Sequence, residues 1–366
     1  MAPAHSEPEL RASLDAVPRY RAGAAPPPGP AGVVAYKVAS NENPYPPLPG
    51  VLAAISDAAT GINRYPDFGS SRLVAELART LGVNPDQLAL GTGSVSLLEY
   101  AAQISCADND EVVFAWPSFE AYPIVTAVAG AQAVQVPLTS DHHHDLDAML
   151  AAITAQTRLV IVCSPNNPTG TAVERSALVD FLSKVPSRIL VVLDEAYTEF
   201  VSDDASFGSL QLMSQFPNVC ILRTFSKAYG LAAIRLGYAI ASENVASALR
   251  AVALPFGVSS VAQAAGLAAL APPAQRELQA RIAQLNLERE RVVTALGALC
   301  AANPEGNFVW LPLGERSAEF ANLCQEQALS VRLFVGVGVR VTIAEPQAND
   351  RLITIAQGFS DDHTSA

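Results

Sequence analysis

Three short segments are apolar at every position: Leu159 to Cys163 (LVIVC), Ile189 to Leu193 (ILVVL) and Val219 to Leu222 (VCIL). Continuous runs of this length suit strands covered on both faces, as in a parallel sheet. Glu111 to Ala115 reads as a further strand, and Val51 to Ala59, Ser71 to Leu81 and Ser94 to Ser105 read as helices. The intervening segments are long enough for crossover helices. The pattern therefore predicts an α/β fold whose large domain, residues 48–260, carries a mostly parallel, doubly wound sheet. After Pro255 the pattern changes. A long helical stretch from about Ala262 to Leu299 precedes short strands at Phe308 to Leu311, near Val331 and at Val339 to Ile343. That order predicts a smaller α+β domain over residues 261–366. Residues 1–47 read as an arm and linker packing partly on the small domain, with an early helical turn and then the extended Pro26-Pro27-Pro28-Gly29-Pro30.

Composition narrows the function classes. Half of the 366 residues are hydrophobic, enough for a sizeable core. A formal net charge of −12 argues against a nucleic-acid surface. The charged N-terminus does not read as a signal peptide, and no apolar run reaches membrane-spanning length, so no membrane partner is expected. Five scattered cysteines without a Cys-x-x-Cys pair read as free thiols of a cytoplasmic protein. The run His142-His143-His144 is expected to be a solvated loop, because adjacent histidines point apart and no second ligand cluster accompanies them.

Several chemistries are excluded by missing motifs. There is no G-x-x-x-x-G-K-[ST] loop, no H-E-x-x-H and no G-x-S-x-G. What remains lies at strand ends, where open α/β sheets bind ligands. LVIVC leads into Ser164-Pro165-Asn166-Asn167-Pro168-Thr169-Gly170, ILVVL into Asp194-Glu195-Ala196-Tyr197, and VCIL into Arg223-Thr224-Phe225-Ser226-Lys227. Taken singly, an Asn-Pro-Thr-Gly is a common turn, a strand-end Asp can be a helix cap, and a lysine is usually solvated. Taken together they deliver an amide, a carboxylate with a phenol, and an amine to one edge. The chain has only three lysines, Lys37, Lys184 and Lys227. A lysine in partly apolar surroundings has a lowered pKa and can form a Schiff base with an aldehyde. Pyridoxal 5'-phosphate requires such a lysine and an acidic partner for its ring nitrogen. Gly93-Ser94 at a helix start, with Ser226 and Arg235, would suit its phosphate.

S-P-N-N-P-T-G, D-E-A-Y and S-K-A-Y-G-L-A-x-x-R-x-G resemble the signatures of fold-type I aminotransferases, and more narrowly those of the histidinol-phosphate aminotransferase branch. Ser40-Asn41-Glu42-Asn43-Pro44 and Asn63-Arg64-Tyr65-Pro66 resemble that branch's N-E-N-P and N-R-Y-P segments. The resemblance implies that Lys227 holds the cofactor, Asp194 pairs its ring nitrogen, and Asn167 and Tyr197 meet its ring oxygen. It implies that Phe119 stacks on the ring and that Ser94, Val95, Ser226 and Arg235 hold the phosphate. Tyr65 would reach the phosphate of a neighbouring subunit, which implies a homodimer. Arg340 would bind the substrate carboxylate, with Arg332, Tyr20 and Asn43 also in the pocket.

The stretches Gly91-Thr92-Gly93-Ser94-Val95, Ser118-Phe119-Glu120-Ala121-Tyr122-Pro123 and Pro255-Phe256-Gly257-Val258-Ser259 resemble the actinobacterial aromatic (phenylalanine) aminotransferases of this branch. The implied reaction moves an amino group between phenylalanine or tyrosine and 2-oxoglutarate with ping-pong kinetics. Leu333 and Ala344 depart from that subgroup near the carboxylate site. The competing readings are a histidinol-phosphate aminotransferase, a related amino-acid-phosphate lyase, and a ligand-sensing regulator, which this acidic chain disfavours.

Overall fold

The computed structural model describes residues 17–20, 23–24, 33–202, 208–301 and 303–361. The predicted helical turn of the arm and its proline run lie outside the described residues. The strands are β1 (Tyr36–Lys37), β2 (Leu88–Gly91), β3 (Glu111–Trp116), β4 (Gln132–Pro137), β5 (Thr157–Cys163), β6 (Leu190–Asp194), β7 (Val219–Thr224), β8 (Gly237–Ile240), β9 (Phe308–Leu311), β10 (Leu329–Ser330), β11 (Arg332–Phe334) and β12 (Gly338–Thr342).

Seven strands form one sheet in the order β2-β8-β7-β6-β5-β3-β4. The strands from β3 to β7 pair in parallel, and β8 runs antiparallel to both its neighbours. The three unbroken apolar runs have a direct structural cause. Alternate residues of each strand face opposite layers, and both layers are buried. Val160, Val162, Val191, Leu193, Val219 and Ile221 enter one core. Leu159, Ile161, Leu190, Val192, Cys220 and Leu222 enter the other. These three central strands therefore have no wet face, and the reactive groups they carry emerge at their ends.

A second, three-stranded antiparallel sheet has the order β11-β12-β9. β1 pairs in parallel with β10. The predicted single helical stretch from Ala262 to Leu299 is two helices, Ser260–Leu270 and Pro272–Leu296. Ala271 is extended, at φ −64° and ψ 146°, because the residue before a proline is pushed out of the helical region. Pro272 then opens the second helix, where its missing N–H costs nothing. Helix Ser260–Leu270 packs on the helices Val51–Ala59 and Ser71–Leu81. It therefore sits with the first part of the chain, and we propose that the smaller domain begins beyond it.

The histidine run is less solvated than expected. His144 is buried, and His142 meets the Trp310 ring edge-on at 6.5 Å. Among the described residues no group of His, Cys, Asp and Glu could hold a metal, and no helix is long and apolar enough to cross a membrane.

At β8 the sheet comes unusually close to a helix. A Cβ on Gly237 would lie 2.5 Å from Ser94 N and 2.7 Å from Gly93 C. Only glycine lets the start of helix Ser94–Ser105 settle onto the sheet there. Gly237→Ala is expected to destabilise the protein by about 1–3 kcal/mol, the usual cost of overpacking. Urea unfolding measures this, and an unchanged midpoint would contradict the packing.

Candidate active site

The parallel strands end at a cavity of about 280 Å³. Twelve of the fourteen residues singled out in the sequence line it: Tyr20, Ser94, Val95, Phe119, Asn167, Asp194, Tyr197, Ser226, Lys227, Arg235, Arg332 and Arg340. Asn43 and Tyr65 do not.

Lys227 follows β7 and is half-buried. Its Nζ donates to two backbone carbonyls, Ser40 O at 3.1 Å and Asn41 O at 3.3 Å. Loss of solvation, reinforced by the nearby Arg340 cation, pushes the amine down to about 7. A lysine held near neutrality is a usable nucleophile and base.

Asp194 ends β6. Tyr122 donates its hydroxyl to Asp194 Oδ2 at 2.8 Å, while the buried Oδ1 has no partner. Burial raises this carboxyl to about 6, and the Tyr122 hydrogen bond acts against that rise. The orphaned Oδ1 is an acceptor waiting for a donor, as a protonated ring nitrogen would be. Tyr197 OH accepts from Asn41 Nδ2 at 2.9 Å. Asn167 Oδ1 accepts from Arg340 Nη1, which leaves the Asn167 amide donors for a ligand.

The other end of the cavity is built for an anion. Helix Ser94–Ser105 begins there after Gly93, whose φ is +87°. Its free N–H groups and dipole favour negative charge. Arg235 is itself left-handed at φ 56°. That unfavourable conformation is sustained because its guanidinium reaches over Gly93 and bonds Ser226 Oγ at 3.3 Å. A Cβ on Gly93 would lie 2.3 Å from Arg235 Nη2.

Arg340 of β12 is 6% exposed and donates to Ala39 O at 2.7 Å. Its Nε has no partner. Arg332 stands opposite Arg340 across the β11–β12 ladder and is held by Glu120.

Asn43 is expected in the pocket from its motif, but its amide donates to the carbonyls of Lys227 (3.2 Å) and Ala228 (2.8 Å) and braces the lysine from behind. Asn41, two residues earlier in the same motif, lines the cavity instead. Tyr65 is 82% exposed and stacks on Phe256 at 4.6 Å, so within one chain it touches no part of the cavity. Glu120 and Tyr122 belong to the S-F-E-A-Y-P stretch, which by itself assigns them no role; their contacts give them one.

A lysine, a buried carboxylate with a free oxygen, and an anion cradle fit pyridoxal phosphate point for point. The family Aminotransferase class I and II matches residues 35–354. The chain is a class I and II aminotransferase. It is 52% identical over 356 residues to the aromatic amino acid aminotransferase of Streptomyces coelicolor, covering 97% of this chain and 98% of that one. It is 51% identical over 351 residues to the aromatic amino acid aminotransferase of Rhodococcus jostii, covering 95% of each. Among solved structures, the histidinol-phosphate aminotransferase of Sinorhizobium meliloti in complex with pyridoxal-5'-phosphate superposes with TM-score 0.80 at 30% identity, covering 89% of this chain and 92% of that one. The aminotransferase thus has the fold of the type I pyridoxal-phosphate enzymes, and its family depends on that cofactor.

The lowered lysine makes a testable difference between amines. In the apoprotein, a pulse of acetic anhydride followed by peptide mapping should modify Lys227 half-maximally near pH 7. Lys184, whose amine is raised by its hydrogen bond and charge pairing with Asp180, should react only at much higher pH. The linkage has a definite sign: the folded value lies below the unfolded one, so stability rises as pH climbs from about 7 towards the ordinary lysine value of 10.5. A Lys227 profile that tracks Lys184 would show an amine that stays charged.

Proposed function

We propose that this aminotransferase binds pyridoxal 5'-phosphate at Lys227 and transfers amino groups between aromatic amino acids, phenylalanine or tyrosine, and 2-oxoglutarate. The substrate class rests on one observation: relatives that share about half of this sequence over nearly its whole length are named aromatic amino acid aminotransferases. The chemistry rests on the cavity.

Bound pyridoxal phosphate would supply an aldehyde for the Lys227 amine and an electron-withdrawing ring that acidifies the substrate Cα–H. Asp194 Oδ1 would hold the proton on the ring nitrogen, and Tyr122 keeps the carboxylate oriented for it. Asn167 and Tyr197 would meet the ring oxygen, and Phe119 would cover one ring face. Ser94, the Val95 N–H, Ser226 and Arg235 would take the phosphate. Arg340 would bind the substrate carboxylate and so aim Cα at Lys227. Lys227, its amine lowered to about 7, would take the Cα proton and return it. An amino acid leaving as its oxo acid before the acceptor arrives gives ping-pong kinetics.

The exposed Tyr65, stacked on Phe256 and close to the exposed Phe68, supports a homodimer in which Tyr65 completes the neighbour's phosphate site. A cytoplasmic location accords with five cysteines that form no disulfide.

The substrate test uses single half-reactions. Purified holoenzyme is mixed with phenylalanine, histidinol phosphate or threonine phosphate, and the cofactor absorbance is followed. Phenylalanine should discharge the aldehyde form with the highest kcat/KM. Faster turnover with histidinol phosphate would overturn the aromatic reading, and release of carbon dioxide would indicate a lyase. Lys227→Ala should lower kcat by at least about 10²–10⁴, the range of a lost general acid–base. A variant that keeps wild-type turnover would remove Lys227 from the mechanism.

A further inference from the structure

The substrate end of the cavity contains an ion pair that the cofactor-binding residues do not account for. Arg332 Nε lies 3.0 Å from Glu120 Oε2, and Arg332 Nη2 contacts both carboxylate oxygens, with Oε1 at 2.5 Å. The pair joins the loop after β3 to strand β11, and the Arg332 side chain is only 11% exposed. Both residues line the cavity that Arg340 also enters. Arg340 has neutral partners, Asn167 Oδ1 and Ala39 O. Among the described residues, the substrate end therefore offers one guanidinium without a carboxylate and one whose charge is already matched.

We propose that Glu120 determines substrate specificity by neutralising Arg332. With the pair intact, the pocket suits a single carboxylate on Arg340 followed by an uncharged side chain. A five-carbon dicarboxylate must place its distal carboxylate beside Arg332 and compete there with Glu120. Glu120 thereby sets the balance between the two partners of one ping-pong cycle. A like charge at a half-dry site is the repulsive element that such discrimination needs. The assignment rests on the aromatic reading, since it explains how one pocket serves aromatic and dicarboxylate substrates.

The test uses holoenzyme and two unreactive ligands, glutarate and 3-phenylpropionate, with dissociation constants from calorimetry. Glu120→Gln should shift the affinity ratio towards glutarate by about tenfold or more, the scale of one removed and partly screened charge. Arg332→Gln leaves Glu120 unpaired and should shift the ratio the other way. The double variant should lose most of the gain seen in Glu120→Gln, because the two residues act as a pair. If both single variants leave the ratio unchanged or move it in the same direction, Glu120 has no such role. A glutarate gain that survives in the double variant would also overturn it. Failure of the aromatic reading is separate, because it would appear in the wild-type phenylalanine half-reaction, whereas the ligand ratio still reports on Glu120.

Discussion

The Lys227 amine is placed by a buried asparagine on a segment remote from it in sequence. Asn41 is fully buried in the left-handed region at φ 52°. Its carbonyl accepts from Lys227 Nζ and from Asn307 Nδ2, its amide donates to Tyr197 OH, and its backbone N–H and Oδ1 both bond Thr342 Oγ1. One residue thus ties together the ends of β6 and β7, the turn before β9 and the end of β12. Lys227 needs partners that do not hold its proton. Backbone carbonyls satisfy an amine without the charge stabilisation a carboxylate would give, so desolvation decides its titration. Had Asp194 reached Lys227, the amine would stay charged; instead Tyr122 engages one oxygen of Asp194 and leaves the other without a partner.

The same constraint explains which parts of the site are legible in the sequence. LVIVC, ILVVL and VCIL read as doubly covered strands because both core layers are apolar, and their ends place Asn167, Asp194 and Lys227 together without knowledge of any loop. β4, Gln132–Pro137, escapes such a reading because it is an edge strand with mostly exposed positions. β8 begins on the last glycine of the lysine motif and is only four residues long and antiparallel to its neighbours. The two prolines after Ala271 are a visible break in the long helical stretch, but amphipathic periodicity on both sides conceals it.

Within the site, motif residues are legible and their division of labour is not. Asn41 and Asn43 lie two apart, so in an extended segment both would face the same way. The left-handed turn at Asn41 breaks that alternation, sending one amide into the cavity and the other to the backbone behind Lys227. Glu120 and Arg332 are 212 residues apart, and no local pattern announces such a pair. The same holds for Tyr122 and Asp194: the tyrosine occupies a helical position that periodicity would assign to packing, and it does pack against Phe114 and Phe119.

The charge distribution links these details to substrate capture. The whole chain carries −12, so an anionic amino or oxo acid meets net repulsion at long range. Inside the cavity that negative excess is gone. Arg235, Arg332, Arg340 and Lys227 face Asp194, Glu120 and Glu42, and two of the arginines bond only neutral groups. Salt screens the distant surface charges over about 10 Å at 0.1 M ionic strength, but acts much less on cations in a narrow, half-dry cavity. Local attraction therefore governs binding once the substrate is at the mouth. Arg340, the proposed carboxylate site, would collect it, and the Glu120–Arg332 pair would keep a second cation at that end without making the pocket select for two negative charges.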